Sequence, residues 1–208
     1  RRQRQMCIRD SIIAVALVLI AAVVFTWKSS AMSTRKMVTI AMLTAVYVVL
    51  NFAGTVRLGW INISVASLPV IVGAMLYGPV GGLLVGLLGA FMGQLLTYGV
   101  TATTILWILP QAARGLLVGI YAKHCGYSFS RGQLTAALIG TALVVTALNT
   151  GAMYIDSVIY NYYSYAYVFG GLVVRIISGA ATAVLMVFVA PPVVNLLNRS
   201  LDTVRTAQ

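Results

Sequence analysis

Seven apolar runs, at about 12–27, 37–53, 63–77, 80–98, 104–122, 133–155 and 165–197, make up most of this chain. A helix needs about 20 apolar residues to cross a bilayer, and inside the hydrocarbon every backbone polar group must be satisfied internally. Runs of this length, separated by short turns, therefore confine the chain to a helical membrane bundle. Composition agrees: 61% of the residues are hydrophobic and 8% charged, where soluble domains carry roughly 25% charge. A surface so poor in charge faces lipid. The 208 residues leave no room for a separate soluble domain.

The punctuation is local and chemical. Gly54 to Gly59 interrupts the second and third runs, and Tyr77-Gly78-Pro79 makes a tight turn between the third and fourth. Glycine tolerates unusual φ and proline fixes it. Lys123 to Arg131 is the most polar loop, and Pro191-Pro192 is expected to break or end the last helix. Gly81, Gly82, Gly86, Gly89 and Gly93 recur at helical spacing, which permits close helix–helix approach.

Orientation follows from the excess of Lys and Arg on cytoplasmic loops. With the second run as the first span, Lys28, Arg35, Lys36, Lys123, Arg131, Arg199 and Arg205 fall inside and only Arg57 falls outside. Six spans with both termini cytoplasmic result. Counting the first run as a span would strand Arg1, Arg2, Arg4 and Arg9 outside. It has a basic start and a short apolar stretch, and RRQRQMCIRDS resembles translated cloning sequence. Residues 1–31 are accordingly expected to be a non-native or signal-like segment, 32–200 the six-helix membrane domain and 201–208 a cytoplasmic tail.

Ionisable groups at membrane depth are costly and mark function or packing. Arg114 and Arg175 each lie near the middle of a run, and Asp156 is the only acid near the membrane interior. That excess of positive charge points to an anionic ligand. Trp107, Gln111 and Arg114 are spaced by four and three residues, which places them on one helix face as a ligand wall or a packing stripe. Asn149 suits an interhelical hydrogen bond. From Asp156 to Tyr167 the sequence holds five tyrosines in twelve residues, Tyr162 and Tyr163 among them. An interfacial aromatic belt or a lid over a flat ring would each use such a cluster. Arg57, Trp60 and Asn62, together with Tyr98, Thr101, Thr103 and Thr104, fall on the same outer side.

Several functions are excluded. The net charge of +11 sits at the ends of apolar runs, as topology signals do, so nucleic acid is not an expected partner. No G-x-x-x-x-G-K-[ST] occurs, so the chain has no ATPase loop of its own. His124 is the single histidine, and Cys7 and Cys125 are unrelated, which excludes common metal sites. Three acids leave no carboxylate pair for acid–base catalysis. The chain is read as no enzyme, with no metal and no cofactor.

Six short spans, no ATPase motif and the opening STRKMVTIAMLTAVYVVLNF resemble the S component, the substrate-binding subunit, of energy-coupling factor (ECF) vitamin transporters. Ala41 and Ala45 match the family's AxxxA, and ISVASLPVIVGAMLYGPVGGLLVGLLG is similar to its second and third spans. The resemblance covers about residues 33–197 and is strongest to the folate-type branch. It implies a docking face at Ala41 and Ala45 for a transmembrane T component, and two ATP-binding subunits beyond it. It also implies a vitamin held near the outer face, in the region of Trp107, Gln111, Tyr162 and Tyr163. The expectation is thus an all-α bundle of six transmembrane helices that captures a folate-like or other small, anionic vitamin for uptake driven by its partners. A self-sufficient secondary transporter is the alternative.

Overall fold

The structure is a computed structural model and describes residues 33–53, 55–58, 61–127 and 131–206. The segment 1–31 and Trp60 lie outside the described residues. In chain order the elements are α1 (Thr34–Ala53), β1 (Thr55–Leu58), β2 (Ile61–Ser64), α2 (Ser67–Tyr98), α3 (Thr104–His124), α4 (Arg131–Ile159), the short α5 (Tyr165–Phe169) and α6 (Leu172–Thr206). Five helical stretches are long and apolar enough to cross a membrane: α1 to α4, and Tyr165–Arg199.

The bundle is helical, but not wholly so. The stretch expected to be a loop between the first two spans forms an antiparallel hairpin, with Thr55 opposite Ser64 and Arg57 opposite Asn62. Thr55, Val56, Ile61 and Ile63 supply the β-branched side chains that favour a pleated conformation. Turn residues around them hid this signal from a reading tuned to helical periodicity.

Within α2, Gly78 adopts φ 70° and ψ −156°, outside the helical region. Only glycine takes such a conformation cheaply, and Pro79 follows at a helix start, where its missing N–H costs nothing. The two arms then fold back on each other. A Cβ on Gly73 would lie 3.0 Å from Val85, whereas a straight helix would hold residues 73 and 85 about 18 Å apart. The turn expected at Tyr77-Gly78-Pro79 is therefore present. The hydroxyl of Tyr127, beyond α3, closes over Gly78, so the far ends of α2's first arm and of α3 meet at one end of the bundle.

The second arm of α2 packs against α3 backbone to backbone. A Cβ on Gly115 would come within 2.0 Å of the Gly82 carbonyl, and one on Gly86 within 2.4 Å of the Gln111 carbonyl. Small residues give membrane helices this close approach, where no hydrophobic force acts between them. Ile40, Leu43 and Tyr47 of α1 join Val70, Val72, Val85, Val118, Leu138 and Met186 in the central apolar cluster. The opposite face of α1 is exposed and carries Ala41 and Ala45 among Val38, Met42 and Val49.

The expected break at Pro191-Pro192 does not occur. Both prolines lie inside α6, which continues to Thr206. They remove two backbone donors, but long helix on both sides and neighbouring packing keep the axis going.

Candidate functional site

The end of the bundle opposite Gly78 holds the site. Here α2 stops at Tyr98 because Gly99 turns to φ 72°, its N–H closing on the Leu95 carbonyl at 3.1 Å. The chain then crosses to α3 through a threonine turn. The Thr101 N–H donates to Thr104 Oγ1 at 2.8 Å, and the Thr104 N–H to the Thr101 carbonyl at 3.2 Å. Thr103 occupies the N-cap of α3, yet its hydroxyl does not cap that helix. It donates instead to Asp156 Oδ1 at 2.5 Å, in the last full turn of α4.

Asp156 is 9% exposed and Thr103 1%. The carboxylate sits where two helix ends meet, and the positive N-terminal end of α3 favours a negative charge there. Its second oxygen accepts a hydrogen bond from the Tyr162 hydroxyl. That bond to a carboxylate, more than burial, raises the Tyr162 phenol above its ordinary range, so the hydroxyl stays a donor. Tyr162 also meets Tyr167 edge-to-face, with ring centroids 5.4 Å apart at 83°.

These groups enclose a cavity of about 380 Å³. Tyr98 and Gln94 approach it from α2, Thr101, Thr103 and Trp107 from the start of α3, and Asp156 from α4. Tyr160, Tyr162 and Tyr167 complete it from the tyrosine-rich segment. Its volume lies in the range of small-molecule sites, and its lining combines aromatic rings with a few polar groups, as such sites do.

The cavity brings together six of the residues marked in the sequence: Tyr98, Thr101, Thr103, Trp107, Asp156 and Tyr162. Gln111 stands one helical turn beyond Trp107, with a buried Oε1 that has no hydrogen-bond partner among the described residues. Tyr163 turns to Tyr154 instead, edge-to-face at 5.5 Å. Asn149 is half-buried on α4, away from the lining. Arg57 and Asn62 face each other across the β-hairpin backbone. Gln94, Tyr160 and Tyr167 line the cavity without having been singled out as ligand contacts. For Gln94 the legible signal was an amide deep in an apolar run.

Neither intramembrane arginine lines the cavity. Arg114 borders a void of about 20 Å³ between α2, α3, α4 and α6, lined by Ser67, Thr141 and Thr182 among others. That is water-sized rather than ligand-sized. Arg175 donates through Nη2 to the Tyr167 carbonyl at 3.3 Å and through Nη1 to Thr150 Oγ1 at 3.5 Å. It thereby ties the tyrosine segment to α4. The sequence argument for an anionic ligand rested on these two side chains, and the charge on the cavity wall is Asp156.

The profile of the ECF transporter, substrate-specific component, matches residues 35–194. The chain belongs to that family. It is therefore a multi-pass membrane protein and a transport component rather than an enzyme. The fold is similar to the crystal structure of the S-component for biotin from an ECF-type ABC transporter, with a TM-score of 0.57 and 20% identity, covering 81% of this chain and 95% of that one. A UPF0397 protein of Lactobacillus gasseri is 32% identical over 99 residues. That alignment takes in 47% of this chain, and the chain spans about half, 52%, of the relative's length.

Proposed function

We propose that this S component captures a vitamin-like small molecule from the outer face and releases it inward only in complex with a T component and two ATP-binding subunits. The observation that carries this reading is the cavity at the Tyr98–Thr103 end, large enough for one small heterocyclic solute and walled by rings that stack on it. A folate-like solute fits the sequence resemblance. Any acidic tail it carries belongs at the cavity mouth, away from Asp156.

Six crossings follow if the two arms of α2 count separately, which puts both termini with the basic residues on the cytoplasmic side. The Gly78 end, over which Tyr127 closes from between Lys123 and Arg131 in the sequence, is then the inner end. The exposed Ala41–Ala45 face of α1 supports a docking role, because small side chains let a partner helix approach closely. Among the described residues this face is exposed.

Native mass spectrometry of the full chain purified in mild detergent tests the capture step by revealing a retained solute. Uptake into cells with and without the T component and both ATP-binding subunits tests the coupling. Accumulation by the chain alone would overturn the reading in favour of a self-sufficient secondary transporter.

A further inference from the structure

We infer that the solute is a planar nitrogen heterocycle that presents two adjacent N–H donors, as an amidine or aminopyrimidine edge does, to the carboxylate of Asp156. This inference rests on the capture function proposed above and names the chemistry of its ligand.

An ionised carboxylate offers about four lone-pair positions, two on each oxygen. Thr103 occupies one on Oδ1 and Tyr162 one on Oδ2. One position on each oxygen is left, so a ligand with two parallel N–H donors can address both oxygens.

Asp156 has no cationic partner among the described residues, and it lines the cavity. A solute that closed the cavity without supplying donors would strand a buried, partly unpaired charge, which is strongly unfavourable. A second carboxylate placed against it would add repulsion. A metal ion is a poor answer, because no group of three His, Cys, Asp or Glu side chains comes together among the described residues.

Trp107, Tyr98, Tyr160 and Tyr167 line the walls with aromatic rings, which suit a flat solute and suit it further when it carries positive charge. Asp156 is the acceptor-only side chain of this lining, so a solute that brings donors meets it best.

The test compares two probes of similar size on the full chain in detergent, by calorimetric titration at neutral pH. One is 2,4-diaminopyrimidine, which carries the donor edge; the other is orotate, a pyrimidine that carries a carboxylate. The expected result is that 2,4-diaminopyrimidine binds at least about ten-fold more tightly, since a hydrogen bond to a charged group is worth that much or more. Asp156→Asn should erase the preference. Orotate binding as well or better, binding of neither probe, or a preference that survives Asp156→Asn in a folded variant would each overturn the inference. Should Asp156→Asn not fold, the probe ranking on the unaltered chain decides alone. Failure of partner-dependent uptake would overturn the transport reading and leave the ranking untouched, whereas a reversed ranking with uptake intact overturns only this inference.

Discussion

The Thr103 hydroxyl and the Asp156 carboxylate, 2.5 Å apart and both buried, join the first turn of α3 to the last turn of α4. A threonine at an N-cap ordinarily satisfies its own helix's free N–H groups. Here that role passes to the turn hydrogen bonds of Thr101 and Thr104, and the freed hydroxyl fixes the one acid in the cavity. Thr103→Val keeps the shape and removes the donor. It should destabilise the chain by about 1.5–3 kcal/mol, as expected for a hydrogen bond to a charged group. In a double-mutant cycle with Asp156→Asn, read by detergent melting, the two losses should be clearly non-additive; simple additivity would show that the pair does not interact.

Tyr162 gives a prediction with a definite pH sense. Its phenol is raised by its bond to Asp156, so its contribution to stability is complete below the ordinary phenol range. It is lost as pH rises through the raised value. The melting-temperature gap between the unaltered chain and Tyr162→Phe should be constant through neutral pH and shrink above about pH 10, where the unfolded chain's phenol ionises. A gap that widens in alkali would mean that the hydroxyl is not bonded to the carboxylate.

Arg175 holds the tyrosine segment from outside the cavity, through long bonds to Tyr167 and Thr150. Such partly exposed contacts stabilise little, about 1 kcal/mol or less. The effect of Arg175→Gln should appear instead in dynamics: faster amide exchange over residues 160–169 and faster solute release, with the helices of the bundle unchanged. Unaltered exchange in that segment would leave Arg175 no positioning role.

Among the described residues, helix placement and the aromatic cluster at one end of the bundle were legible in the sequence because lipid imposes a simple rule: long apolar runs must be helices, and their ends collect rings and charges. The turn at Gly78 was legible for the same reason that it forms, since glycine and proline have few structural uses side by side. Two features were not. The Thr55–Ser64 hairpin is too short to show a period beside 20-residue runs. The partition of charge was hidden as well, because depth along a helix does not fix which face a side chain occupies. Arg114 and Asp156 both read as buried charges, and only the packing of α3 on α4 separates a water-sized void from the cavity.

The glycine seam between α2 and α3 carries a stability prediction. A side chain at Gly115 would meet the Gly82 backbone at 2.0 Å, a contact that neither helix can relieve without moving apart. Gly115→Val should cost about 2 kcal/mol or more by overpacking. It should also reduce solute binding, because the same displacement carries Trp107 and Thr103 away from α2. Gly132, with open space around it, is the control: Gly132→Ala should leave melting and binding unchanged.

The exposed face of α1 separates capture from coupling. Ala41 and Ala45 are exposed among the described residues, on the face of α1 away from its buried Ile40, Leu43 and Tyr47. Replacing both with Val adds bulk only to the outward face, so solute binding by the isolated chain should be unchanged. With the T component and ATP-binding subunits present, uptake should fall at least about ten-fold, because a partner helix can no longer approach the backbone closely. Co-purification of the T component, measured beside uptake, should fall in parallel. Lost binding with an intact complex would instead place these alanines in the fold of the capture site, and the partner would have to dock elsewhere.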